Sequence, residues 1–160
     1  MAPGNIQTIC CTGSATVPRH GRNCSRRSIA SGRKTLLKYV MVGIGGFLGA
    51  IARFWLGGYV GDRMGSRFPW GTFIINCSGS FVVGFIITLL AERTHWSPNW
   101  RYLIPVGFVG AYTTFSTFEY ETLRAMQDGN FVIAALNIVL SVALGFVAVW
   151  MGVVAGQAIP

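Results

Sequence analysis

Beyond residue 35 the chain alternates long apolar runs with short polar stretches. The first run extends from about Leu36 to Val60 and the second from about Trp70 to Ala91. The third starts near Tyr102 and passes into a hydroxyl-rich stretch. The fourth covers about Phe131 to Ala158. Each approaches or exceeds the roughly 20 residues that cross hydrocarbon as a helix. A buried soluble helix keeps a polar face, and these runs have almost none. The pattern predicts an all-α protein with four transmembrane helices in residues 36–160 and both termini on one side. The connections "GDRMGSRFP", "ERTHWSPNW" and "RAMQDGN" hold the Gly, Pro, Asn and Asp of turns. Trp70, Trp96 and Trp100 stand at run edges, where interfacial aromatics belong. No connection can house a separate soluble enzyme.

Composition agrees. The chain is 52% apolar and 11% charged, against roughly 25% charged in soluble domains. The net charge of +8 is unevenly placed: no acid precedes Asp62, and residues 1–38 hold seven bases. Residues 1–35 read as a basic, disordered tail, rich in Ser, Thr, Gly and Arg, and suited to an anionic membrane face. An organelle transit peptide has the same composition, and so does a start codon set too early. Nucleic acid is not expected as a partner, because the bases are not interleaved with aromatics. Counted from Arg33 onward, Arg33, Lys34, Lys38, Arg93 and Arg101 fall on one side of the membrane, and Arg53, Arg63, Arg67 and Arg124 on the other. Such a weak bias permits insertion in both orientations.

The third run carries the most unusual chemistry. In "VGFVGAYTTFSTFEYE", Gly107, Gly110 and the row Tyr112, Thr113, Thr114 disfavour one uniform helix. A break frees carbonyl oxygens, which hydrocarbon tolerates only against protein, water or an ion. Freed carbonyls suit a hard cation such as Na⁺. The competing reading is a smooth helix whose hydroxyls bond back to i−4 carbonyls. After the break, Phe115 and Phe118 share a face, and a ring edge is electropositive enough to attract an anion. Ser116 and Thr117 add hydroxyl donors. Phe115 and Phe118 as mere packing residues is the plainer alternative.

Asn76, Ser80 and Gly84 form an i, i+4, i+8 stripe on the second helix. Close helix packing explains it, and so does an Asn76 amide aimed into an ion pathway. Arg53 either snorkels to the interface or lines a cationic vestibule. Glu119 and Glu121 read as interfacial or vestibule acids. Cys10, Cys11, Cys24 and Cys77 contain no metal-spaced pair, and Cys77 packs as a small hydrophobe. His20 and His95 have no nucleophile and acid beside them, so no hydrolase triad is visible. "GIGGFLG" lies inside an apolar helix, where its glycines serve packing rather than phosphate binding. The chain is not expected to be an enzyme.

"GTFIINCSGSFVVGF", "GFVGAYTTFSTFEYE" and "GGFLGAIARF" together resemble the Fluc (CrcB) family of fluoride channels over about residues 36–157. The resemblance implies a fluoride-selective channel in the cell's inner (plasma) membrane, crossing it several times and exporting fluoride passively. It implies an antiparallel, dual-topology homodimer with a broken third helix. It places Asn76, Phe115 and Phe118 along the pore, with Ser116 and Thr117 contributing. It gives the backbone carbonyls of Gly110 and Thr113 to a central, structural Na⁺. The family's Gly-Gly-Leu stands here as Gly110-Ala111-Tyr112, and Ala111 is less free than Gly to adopt a positive φ.

Two other functions compete. A small proton-coupled cation or multidrug exporter needs a titratable acid in its first helix, and this chain has none there. A non-transporting membrane assembly protein would explain the small-residue stripes but not the hydroxyl-rich third run.

Overall fold

The computed structural model describes residues 21–65, 67–92, 97 and 99–159. The first twenty residues of the expected tail lie outside these, as do Arg93 and Trp96. The chain divides into two units, Met1–Arg33 and Lys34–Pro160. In the first, the described backbone is helical from Gly21. Helix α1 spans Gly21–Met64, and its apolar part is Thr35–Met64. Helix α2 is Trp70–Glu92. A π-helix, Tyr102–Val109, continues as a single turn, α3, at Gly110–Tyr112. Helix α4 is Phe115–Gln127 and α5 is Phe131–Gln157. Among the described residues there is no strand.

Three helices, Thr35–Met64, Trp70–Glu92 and Phe131–Gln157, are long and apolar enough to cross a membrane. Where the third crossing was expected, residues 102–127 form three helical pieces, and the helix count fits four. The pieces have local causes. Pro105 lies inside the π-helix and lacks an N–H, and its ring crowds the preceding turn of a regular α-helix. The wider π turn lets the Gly110 N–H reach back five residues to the Pro105 carbonyl. At the far end, α4 stops at Asp128, and Gly129 takes φ 76°. Its N–H bonds to Met126 O at 3.1 Å and the Asn130 N–H to Ala125 O at 2.8 Å, which closes the helix end.

Glycines set how closely the helices approach. A Cβ on Gly84 of α2 would overlap the Val149 carbonyl of α5, and one on Gly152 would overlap the Phe81 carbonyl. These two backbones therefore touch along α2 and α5. Gly45 and Gly49 do the same for α1, against the carbonyls of Leu103 and Phe108. Helix α2 thus faces α5 along much of its length and meets α3 and α4 elsewhere. One polar link ties α5 to α4. Asn137, 2% exposed, donates from Nδ2 to Thr122 Oγ1 at 2.8 Å. Thr122 in turn donates to Phe118 O at 2.7 Å.

The outer surface carries Phe54, Trp55, Phe146 and Trp150, all more than half exposed. An apolar surface this large suits lipid rather than water. Gly152→Val should cost about 1–3 kcal/mol of stability through overpacking. Gly145→Ala, whose new Cβ meets only Ser80 Oγ at 3.8 Å, should leave stability unchanged or raise it. Unfolding curves of the detergent-solubilised protein compare the two.

Candidate functional site

Between α3 and α4 the helix is interrupted. Thr113 (φ −74°, ψ 154°) and Thr114 (φ −145°, ψ 111°) are extended, and the helix restarts at Phe115. Ala111 lies within the helical turn, and no described residue other than glycine has a positive φ. Two threonines make the interruption, so alanine meets no conformational strain at position 111.

An interruption leaves N–H and C=O groups that must find partners away from water. Asn76 of α2 supplies them for Thr114. Its Oδ1 accepts the Thr114 N–H at 2.8 Å, and its Nδ2 donates to Thr114 O at 3.0 Å. The side-chain amide thus pairs with Thr114 as a neighbouring peptide would. Thr114 then caps α4. Its Oγ1 accepts the Thr117 N–H at 3.4 Å and shares a hydrogen bond with Thr117 Oγ1 at 2.8 Å.

These bonds divert two donors from their usual acceptors. In a continuous helix the Thr114 N–H would bond to Gly110 O, and the Thr117 N–H to Thr113 O. Asn76 takes the first and Thr114 Oγ1 the second. With α4 starting only at Phe115, the carbonyls from Gly110 through Thr113 all lose their i+4 helical donors, and the two that the family resemblance names, Gly110 and Thr113, are among them. Gly110 is also exposed, and a Cβ built on it would meet only Pro105 O, at 3.9 Å. Among the described residues no three His, Cys, Asp or Glu side chains gather to hold a metal. The donor set at the interruption is backbone oxygen, which matches the preference of a hard cation.

Phe115 and Phe118 open α4 with ring centroids 5.8 Å apart and planes tilted by 37°. Phe115 is 70% exposed and Phe118 is half-buried. Ser116 is exposed, and Thr117 is exposed with its hydroxyl held by Thr114. A cavity of about 930 Å³ opens on this side. Its wall includes Thr72, Thr114, Thr117 and Glu121, with Arg53 and Arg124 also lining it. Thr72 Oγ1 donates to Glu121 Oε1 at 2.9 Å, joining α2 to α4. Glu121 Oε2 is buried with no hydrogen-bond partner among the described residues. Glu119 is exposed and does not line the cavity.

The CrcB-like family, described as "CrcB-like protein, Camphor Resistance (CrcB)", matches residues 40–153. The chain belongs to this family. It is 53% identical over 123 residues to a protein from Acidobacterium capsulatum, covering 77% of this chain and 98% of that one. It is 47% identical over 116 residues to one from Solibacter usitatus, covering 72% and 95%. A third, from Geotalea daltonii, is 42% identical over 118 residues, covering 74% and 95%. All three carry the name Fluoride-specific ion channel FluC.

In this CrcB-like chain, two helices bring Asn76, Thr114 and Thr117 together, and one turn of α4 pairs Phe115 with Phe118. The Asn76–Ser80–Gly84 stripe serves more than one neighbour. Asn76 holds the interruption, and Gly84 is pressed against Val149. Sequence reading missed the anchoring role of Thr114 and the Thr72–Glu121 contact. The threonine-x-x-threonine spacing was a legible cap signal for the first. The second joins residues 49 apart in sequence and left no local trace.

Asn76→Ala should strand both polar groups of Thr114, costing about 1–3 kcal/mol for each group left unpaired. Thr114→Ala removes the cap alone and should cost about 1 kcal/mol. Unfolding midpoints in detergent give the ranking, with Asn76→Ala the lower.

Proposed function

We propose that this chain is a fluoride-selective channel that lets the anion leave the cell passively across the inner (plasma) membrane. Two antiparallel copies form the conducting unit, and the Tyr102–Gln127 segment acts as one broken membrane helix. Fluoride is small and strongly hydrated, so a pathway must replace its water with donors. A fixed full charge would trap the ion, and a set of neutral donors would not. An amide nitrogen has two N–H groups. Thr114 O takes one from Asn76, and the other is offered to the anion. The ring edges of Phe115 and Phe118 and the hydroxyls of Ser116 and Thr117 continue the neutral donor set.

The observation that carries this reading is an amide locked to a helix interruption directly before a phenylalanine pair whose first member is exposed. The names borne by the Acidobacterium, Solibacter and Geotalea relatives support the choice of fluoride. Gly110 and Phe115 are both exposed on the single chain, which favours a second copy covering this face. The nearly even distribution of bases from Arg33 onward supports insertion both ways round. Arg53 and Arg124 on the cavity wall would concentrate anions at its mouth. The carbonyls of Gly110 and Thr113, freed of their helical donors, would hold Na⁺. When bound, Na⁺ supplies positive charge and links the two copies. Neither Arg nor Na⁺ is asked to touch the moving fluoride. The chain acts as a conduit and catalyses no reaction.

Proteoliposomes containing the protein should release fluoride and retain chloride, read with ion-selective electrodes. Asn76→Asp replaces the donor with a negative acceptor, and Phe115→Ile removes a ring edge. Each should slow fluoride release by at least about tenfold, equivalent to roughly 1.4 kcal/mol of barrier. Equal fluoride and chloride release would defeat the selectivity. Substrate-linked proton flux would instead support an exporter, and no ion flux from folded protein an assembly role.

A further inference from the structure

Asn76 holds the C-terminal half of the interruption, at Thr114. The N-terminal half has its own anchor. Tyr112, the last helical residue before the break, is 9% exposed. Its hydroxyl lies 2.8 Å from Ser78 Oγ of α2. Ser78 Oγ also lies 2.7 Å from Ile74 O and 3.1 Å from Ile75 O, its backbone neighbours on α2. A serine hydroxyl has one proton. With that proton on the α2 carbonyls, Ser78 accepts, and the Tyr112 O–H donates. The tyrosine ring reaches Ser78 because Gly79 has no side chain. A Cβ there would sit 3.3 Å from Tyr112 Cδ1 and would overlap the Thr113 methyl. Phe108 stacks on the Tyr112 ring, with centroids 5.7 Å apart and planes at 12°.

We propose that Ser78 is a positioning residue that, through Tyr112, fixes the orientation of the Gly110 and Thr113 carbonyls. This rests on the reading of those carbonyls as a Na⁺ site. The two anchors run in opposite directions along the chains: Asn76 pairs with Thr114, and Ser78 with Tyr112. Thr113 lies between them with its methyl against Gly79. An interruption held on one side only can swing about the other. Held on both sides, Thr113 has no freedom to turn its carbonyl away. Leucine at position 112, as in the family pattern that the sequence resembles, has no hydroxyl to make this bond. The tether is therefore a property of this chain's Ser78–Tyr112 pair.

The test is a thermal melt of the full-length, detergent-solubilised protein over a range of Na⁺ concentrations. The wild-type melting temperature should rise with Na⁺. Tyr112→Phe and Ser78→Ala should each move the Na⁺ midpoint about five- to tenfold higher, the worth of one hydrogen bond. The double variant should be no worse than either single one, because all three lose the same bond. Lower melting temperatures with an unchanged Na⁺ midpoint would overturn the positioning role and leave only a packing contact. A wild-type protein indifferent to Na⁺ would overturn the cation site and the positioning role with it. Should Tyr112→Phe fail to fold, Ser78→Ala makes the same comparison, since it keeps the ring.

Discussion

An unpaired peptide group has no water to turn to at membrane depth. The CrcB-like chain departs from helix at Thr113 and Thr114, so partners must come from elsewhere in the protein. The Asn76 side chain provides both a donor and an acceptor to Thr114, in the geometry a peptide neighbour would offer. Much of the local chemistry follows from that one substitution of an amide side chain for a backbone partner. The Thr114 hydroxyl is left to start α4, which fixes where Phe115 and Phe118 emerge. The carbonyls from Gly110 through Thr113 lose their helical donors in the same rearrangement.

Such an interruption requires a rigid reference, and α2 is that reference. It lies against α5 at Gly84 and Gly152, where backbone meets backbone without an intervening side chain. Close contact of this kind leaves little room for sliding, because any shift drives atoms into overlap. From the same helix, Thr72 reaches Glu121, Asn76 reaches Thr114, and Ser78 reaches Tyr112. One helix thus sets the position of the segment on both sides of the break. A second tie comes from α5, where buried Asn137 bonds Thr122 and through it the turn bearing Phe118. The phenylalanine pair is therefore supported from two directions, with Phe118 half-buried and Phe115 exposed.

The apolar runs were legible because membrane helices advertise themselves by composition: residues facing lipid must be apolar over a fixed length. α2 and α5 begin where Trp70 and Phe131 opened their runs, and both end within one residue of the run boundary. The third run was legible as irregular, since Gly110 and consecutive threonines are poor helix formers. Its π-helical opening was not, although Pro105 was in view, because a proline permits a kink, a break or a widened turn alike. The resemblance of Gly110-Ala111-Tyr112 to a Gly-Gly-Leu pattern raised the matter of positive φ at Ala111. The turn there is helical and makes no such demand.

Taken alone, the sequence determined the helix class, the location of the hydrophobic runs and the residue types available for neutral ion chemistry. Those depend on local composition and period, which a linear chain records. Tertiary structure alone decided which groups meet: Asn76 with Thr114 across 38 residues, Ser78 with Tyr112 across 34, and Thr72 with Glu121 across 49. A hydrogen bond between distant residues leaves no periodic signature. Its existence depends on the helix separation, which glycine contacts set only after the helices have packed.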